Sequence, residues 1–449
     1  MATTPSATGS LDAAIRLALR AAVMVALAVA ILVALLSIRG VVHDRQQHRR
    51  DAVAAVAASH AGPQQLAGPV LVVPWEQVET VGTTDADGRR QVAERRRSGR
   101  WTFFPEHLDV SGVLVPATRR LGLHEVRVYE FDGRVAAAFR APIPPDVPGT
   151  VRTIGEPWLA YGIADVRGLT GLPRLRIAGA DATLARGMGA SDGAGVHARL
   201  PVPKAGATLT LDPVLDLAVT GTESIAIVPL GARNDIRIKS TWPHPRFHGA
   251  FLPRTRDVGP GGFSAAWQVS SLASNAQGQF QAAARHGAEA IRIGLVDPVN
   301  PYTLADRATK YGVLFVLLTF GGFFLFETVG RLRIHPVQYL LVGLALSIFF
   351  LLLLALSERI AFGWAYLSAS AACIALLGFY LAHVLRSRTR GLAVAGAFSL
   401  LYAALYGLLV SEDNALVLGS GLLFVLLAGA LVATRNVDWY AVGGGRDPA

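Results

Sequence analysis

YGVLFVLLTFGGFFLFETVGRLRIHPVQYLLVGLALSIFFLLLLALSERIAF, residues Tyr311–Phe362, decides the architecture of this chain. It holds two apolar runs, Gly312–Phe326 and Val337–Leu356, parted by a short gap with Glu327, Arg331, Arg333 and His335. A helix needs about 20 largely apolar residues to cross about 30 Å of hydrocarbon. A run with no polar face cannot lie on the surface of a soluble fold, so these segments are expected in lipid or against one another. Toward the C-terminus, Trp364–Val384, Leu392–Val410 and Ala415–Val432 repeat the pattern. Toward the N-terminus, AAVMVALAVAILVALLSI (Ala21–Ile38) comes close to the same length. That run is longer than a typical signal-peptide core, and SIRGVVHDR follows it with no small-residue cleavage pattern. It therefore reads as an uncleaved anchor. Six spans are expected.

The charges between the spans are sorted. Arg331, Arg333 and His335 follow the second span, Arg386, Arg388 and Arg390 follow the fourth, and Arg435 and Arg446 lie in the tail. The alternate gaps are SERIAF, where Glu358 balances Arg359, and SEDN, with Glu412 and Asp413. Arginine-rich short loops belong on the cytoplasmic side, so both termini are expected there and the long polar middle outside. One flank disagrees. Arg39, Arg45, Arg49 and Arg50, set against Asp44 and Asp51, follow the first span, whereas Arg16 and Arg20, set against Asp12, precede it. The short downstream loops, where the rule holds best, outweigh it.

With 52% hydrophobic residues and a mean hydropathy of +0.41, the 449-residue chain is too apolar for an ordinary soluble enzyme. Its formal charge of +10 rests almost wholly on arginine, lysine occurring only at Lys204, Lys239 and Lys310. Those charges are dispersed, which argues against nucleic acid. The lipid bilayer, anionic lipid or an envelope polymer are the better electrostatic partners. The single cysteine, Cys373, lies in an apolar run. It excludes an intrachain disulfide, a Cys-based zinc site and a redox pair.

From Val42 to about Ala61 the anchor is expected to continue as a helix, ended by Gly62-Pro63. Beyond it, VLVVPW, WTFFP, HEVRVYEF, RVAAAFR, SIAIVPL, DIRIKSTW and AIRIGLV alternate or are rich in β-branched and aromatic residues. Short strands at turn-punctuated spacing indicate an all-β sandwich or barrel-like domain; the Gly-rich Gly187–Gly195 reads as a mobile loop, with a boundary between two subdomains as the lesser alternative. The expected fold class is an α+β membrane protein. It comprises a cytoplasmic N-terminus (1–20), a transmembrane anchor helix (21–38), a juxtamembrane helix (39–62) and a β-rich extracytoplasmic domain (63–305). A five-helix transmembrane bundle (311–433) and a cytoplasmic tail (434–449) complete it.

No nucleophile elbow, Walker loop, dinucleotide fingerprint or His-Glu-x-x-His helix occurs, and no cofactor is expected. His244 and His248 are four apart, but Pro243 and Pro245 make a helical metal pair improbable. The basic run GRRQVAERRRSGR (Gly88–Arg100) reads either as a contact for anionic headgroups or as a charged hairpin guarding a strand edge. Ionisable residues near lipid carry a default claim to function. The candidates are Glu327, His335, Glu358, Arg359, Glu412 and Asp413, all near span ends where water can reach them. Tyr311, Trp364, Tyr366 and Tyr380 fit an interfacial aromatic belt.

Several segments together resemble the CreD family of inner-membrane proteins. They are GPQQLAGPVLVVP (Gly62–Pro74), FHGAFLP (Phe247–Pro253), GFSAAWQVSSL (Gly262–Leu272) and ADRATKYGVLFVLLTFGGFFLFE (Ala305–Glu327). HPVQYLLVGLALSIFFLLLLALSERIAFGWAY (His335–Tyr366), SEDNALVLGSGLLF (Ser411–Phe424) and TRNVDWY (Thr434–Tyr440) extend the likeness. It is weak from Gln77 to about Thr220, and Ser357-Glu358-Arg359 stands where the family would have Ser-Glu-His. The resemblance implies a β-rich periplasmic domain on a multi-span bundle, a gene in an envelope-stress regulon, and phenotypes of envelope integrity and tolerance of colicins or β-lactams. It brings no catalytic residues. The leading expectation is a non-enzymatic protein whose β domain contacts envelope components or periplasmic or membrane protein partners. The alternative is a transporter or lipid-handling membrane protein, though the five C-terminal spans show neither internal duplication nor proline-broken helices. An envelope hydrolase ranks last.

Overall fold

The computed structural model describes residues 7–84, 90–148, 150–189, 193–282, 288–295, 301–330, 335–384, 387–411 and 415–435. The chain divides into two compact units, one from Met1–His48 with Val299–Ala449 and one from Arg49–Pro298. The helices are α1 (Ala7–Ser59), α2 (Ala276–Gln281), α3 (Pro301–Gly330), α4 (Pro336–Ser357), α5 (Phe362–Val384), α6 (Arg388–Val410) and α7 (Ala415–Thr434).

In the helical unit, each of the six expected apolar runs falls within one helix. Among the described residues α1 from Val25, α4, α5 and α6 from Gly391 are long and apolar enough to cross a membrane. The α3 helix begins well before the expected Gly312, because residues from Pro301 onward form a polar first part that packs through Tyr302, Ala305 and Ala308. With little hydrophobic drive between helices in lipid, close packing must hold the bundle together. Ile31 and Leu35 of α1 join Phe315 and Phe320 of α3 and Leu346 and Phe349 of α4 in one cluster. Gly343 makes that approach possible: a Cβ there would collide with Ile31.

Aromatic rings fill the middle. Phe349 lies 4.7 Å from the ring of Tyr402, and Phe315 lies 4.8 Å from the same ring. Tyr366, expected in an interfacial belt, is instead buried in this cluster and donates to the Tyr402 carbonyl at 2.7 Å. Spacing along a wholly apolar helix does not tell which face meets its neighbours. Trp364, by contrast, is 67% exposed.

The second unit is a sandwich of two mixed sheets with nine described strands each. The first runs Pro245–Gly249, Ile291–Leu295, Ser224–Val228, Gln64–Thr84, Trp158–Ile163, Gly195–Arg199, Ala185–Arg186. Strands Arg90–Phe103 and Thr150–Ile154 also pair with the long Gln64–Thr84 strand. The second runs Thr255–Gly259, Gly262–Ser270, Arg233–Ser240, His107–Leu121, His124–Pro142, Pro213–Thr222, Leu169–Ile177, Ala180–Ala182, with Thr208–Leu211 beside His124–Pro142. Two pairings are parallel, Gln64–Thr84 with Ser224–Val228 and His107–Leu121 with Arg233–Ser240.

The His124–Pro142 strand alternates buried and exposed residues along its second half, the signature of one face against a core. Leu71, Val73, Leu159 and Tyr161 from the first sheet meet Leu108, Val110, Phe131 and Trp267 from the second. Residues on both sides of Gly187–Gly195 share this one core, so that segment is no subdomain boundary. The short α2 helix, which the strand pattern gave no sign of, packs Ala276 and Phe280 on the outer face of the first sheet.

Candidate functional site

One of the six candidates, Glu358, lies where α1, α3 and α4 come together in the helical unit, beside an ion-paired Asp306. Arg39 Nε lies 3.2 Å from Asp306 Oδ1, and Lys310 Nζ lies 2.7 Å from Asp306 Oδ2, one helical turn on. His43 Nε2 approaches the same carboxylate at 4.0 Å. Further along α1, Arg45 lies 3.6 Å from Glu358, the residue that caps the C-terminus of α4. The Tyr302 hydroxyl stands 3.5 Å from the same oxygen. Val42, fully buried, fills the space between with Tyr302, Ala305 and Leu354. Asp306 and Glu358 are each mostly buried, so their partners matter. Burial alone would raise the Asp306 carboxyl. Hydrogen bonds and charge from Lys310 and Arg39 outweigh it and hold the group below its ordinary value.

Arg359, next to Glu358, is exposed and does not enter the cluster. His335 starts a helix instead of forming a site. Its side chain accepts from Val337 N while Gln338 accepts from His335 N, closing a capping box ahead of Pro336. The side chain of Glu327, and Glu412 and Asp413 entirely, lie outside the described residues. Sequence reading passed over Arg39, Asp306 and Tyr302. The signal was present in the unexplained basic flank after the first span, which needed acidic partners.

A second polar cluster fixes the end of α1 within the sandwich unit. The helix stops at Ser59, slightly before the expected Ala61. Val53 and Val56 pack on Val126 and Val128, and Ala61 is fully buried. Arg167 Nη1 donates to Ala58 O at 2.7 Å, satisfying a last-turn carbonyl, and Thr222 Oγ1 donates to Ala61 O at 2.6 Å. Asp165 accepts from Gly62 N at 3.1 Å and from Arg167 Nη2 at 2.6 Å. Gln64, 2% exposed, donates to both Asp165 O and Thr220 O at 2.9 Å. The Arg167 guanidinium, then the Gly62 and Arg167 amides, hold the Asp165 carboxyl at about 2 against the opposing effect of burial. Gln64 is thus the side chain of the GPQQL segment that joins the turn at Asp165 to the Pro213–Thr222 strand.

Gly88 and Arg89 of the basic run lie outside the described residues, and from Arg90 the run is a strand. Arg90–Phe103 pairs with Gln64–Thr84 from Leu71↔Phe103 to Thr84↔Arg90, leaving its other edge open among the described strands. Arg95, Arg96, Arg97 and Arg100 are exposed along it, the charge pattern that discourages edge-to-edge pairing. At its base Trp75 and Trp101 stack at 5.7 Å, with Arg152 5.4 Å from the Trp101 ring. Arg152 also donates to Pro145 O and Gln77 Oε1, so the platform is braced from within the protein. His244 and His248 lie beside and within the Pro245–Gly249 strand, and no helix forms there. The His244 carbonyl accepts from the Trp242 indole, and His248 Nδ1 donates to Arg246 O.

A helical unit with apolar spans and a large sandwich inserted between its first and second helices defines a class: multi-span membrane proteins with an extramembrane β domain. A family model described as Inner membrane protein CreD matches residues 16–440, and the chain belongs to that family of inner-membrane proteins. The Inner membrane protein CreD of Escherichia coli (strain K12) is 37% identical over 411 residues, covering 90% of this chain and 89% of that one. Among solved structures, M1 zinc metallopeptidase structures from Deinococcus radiodurans align at a TM-score of 0.22. One covers 43% of this chain and 42% of its own at 11% identity, another 77% and 95% at 10%. A likeness that slight carries no argument about fold or chemistry.

Proposed function

We propose that this protein supports cell-envelope integrity from the inner membrane. It acts without catalysis, through a β sandwich held on the periplasmic side, while both termini stay in the cytoplasm. The observation that carries the reading is the insertion of the unit Arg49–Pro298, which begins within the last turns of α1, ahead of α3. Arg39–Asp306 and Arg45–Glu358 gather the end of the first span, the start of α3 and the α4–α5 turn at one end of the helical unit. Both chain connections to the sandwich therefore leave from that end. The arginine-rich gaps around Arg331 and Arg388 fall at alternate positions, which supports a periplasmic sandwich. The relative from Escherichia coli is itself named an inner membrane protein. The absence of any catalytic constellation in the sequence favours a binding or structural role over an enzymatic one.

The test is complementation. A chain in which α1 is joined directly to α3, without the sandwich, is expected to insert but to leave envelope permeability and β-lactam sensitivity of a deletion strain unrepaired. Full repair by that truncated chain would overturn the reading. Lipid handling is a second reading, favoured by a cavity in the sandwich unit.

A further inference from the structure

The outer face of the first sheet carries a cavity that the envelope reading does not use. Where Gln64–Thr84 runs between Ser224–Val228 and Trp158–Ile163, Ala67 is in register with Val228 on one side and Gly162 on the other. Their chain neighbours Leu66, Ile227 and Ile163 point the other way, into the sandwich core. Side chains this small keep the sheet surface low at that point. Met188 forms one wall, backed by Trp158, whose indole donates to Met188 O at 3.0 Å. Phe280 of α2 and Ala288 form the other. Together they enclose about 340 Å³.

Arg292 lines the same cavity from the next strand, where it faces Ala226. Among the described residues, no hydrogen bond or ion pair occupies its guanidinium. The walls are mostly apolar, with Gln64 and Gln65 at one side, and among the described residues Arg292 is the one cation lining the cavity. Apolar surface in contact with water costs about 25 cal/mol per Å² that a fitting ligand would recover. An unpaired guanidinium selects an anion and is suited to a carboxylate in particular. The volume sits near the low end of small-molecule sites, which run from about 300 to 1,000 Å³. That leaves room for one alkyl chain.

We propose that this cavity binds a fatty-acid-type amphiphile, its alkyl chain lying over Ala67, Gly162 and Val228 and its carboxylate on Arg292. The inference goes beyond the envelope reading and does not depend on it, since binding is measured without any cellular phenotype.

The experiment uses the full-length chain in phosphatidylcholine nanodiscs, photolabelled with a diazirine analogue of dodecanoic acid, with adducts mapped by mass spectrometry. Adducts are expected on Met188, Phe280 or their neighbours. Dodecanoate should compete them away, and dodecylamine, with the same chain and opposite charge, should not. Arg292→Gln, a change at the rim, is expected to weaken labelling roughly tenfold or more, the worth of a charged hydrogen bond. Ala67→Leu should remove labelling by filling the floor, and if that variant does not fold, Arg292→Gln decides. Adducts confined to α1 and α3–α7 would overturn the proposal. So would equal competition by dodecylamine, or labelling of Arg292→Gln at the level of the unaltered chain.

Discussion

Asp165 accepts hydrogen bonds from Gly62 N and the Arg167 guanidinium, and its carboxyl titrates at about 2 rather than in the ordinary carboxylate range. A group depressed in this way stabilises the fold in its ionised form. Its contribution is complete above about pH 4, the ordinary value, and is lost as pH falls through about 2. Asp165→Asn is therefore expected to lower the thermal midpoint at neutral pH, with the gap to the unaltered protein closing as acid is added. Midpoints of both proteins across that window check it, and a gap independent of pH would show that charge is not the source. Asp306 makes a second case. Arg39→Glu should destabilise the helical unit by repelling Asp306, and adding Asp306→Arg should restore part of the loss. A double-mutant cycle should report about 0.5–3 kcal/mol of coupling, whereas zero coupling would mean the pair is only adjacent. None of these partnerships was legible in the sequence. Gln64 and Asp165 lie 101 positions apart, Arg39 and Asp306 lie 267 apart, and local pattern carries no information at such separations. What the sequence did expose was the anomaly at Arg39, a basic flank on the wrong side of a span.

Helices were the most legible elements, because a run without a polar face has one physical solution in a membrane. Their contacts were not legible, since every face is apolar and the packing face is marked only by small residues. Gly343 is such a mark. A Cβ there would meet Ile31 of α1 and the ring of Phe320. Gly343→Val is expected to push α1 off α4 and cost about 1–3 kcal/mol, the usual toll of overpacking. Gly396 of α6 meets nothing within 4 Å, so Gly396→Ala should be neutral or slightly stabilising. Unfolding midpoints of the two variants in the same detergent test the contrast, and equal effects would show that helix propensity, not packing, governs Gly343. The strands were legible where they alternate, as in HEVRVYEF, yet their partners were not. The two parallel pairings join segments more than a hundred residues apart, and hairpin signals do not reach that far. The basic run was readable as a guarded edge because arginines on an outermost strand have that physical purpose whatever the neighbouring strand is.

At the scale of the whole molecule the tension in the sequence concerned orientation, because the first span's basic flank opposed the charge pattern of every later loop. The structure supplies each of three flank arginines with a carboxylate: Arg39 with Asp306, Arg45 with Glu358, and Arg49 with Glu223 at 3.8 Å. The pairings give these arginines a structural role in the folded protein, while the short later loops around Arg331 and Arg388 remain the stronger orientation signal. This turns the orientation into a direct prediction. Cys373 is the only cysteine and is buried, so Cys373→Ser gives a background without thiols. In that background Ser98→Cys, on the exposed edge strand, should react with a membrane-impermeant maleimide applied to intact cells. Arg388→Cys, at the start of α6, should react only after lysis. The reverse pattern would place the sandwich in the cytoplasm and remove the envelope role with it. Reaction of both sites in intact cells would mean that the chain inserts in two orientations. In that case the basic flank competes with the later loops, and Arg39→Glu should shift the mixture toward an external sandwich.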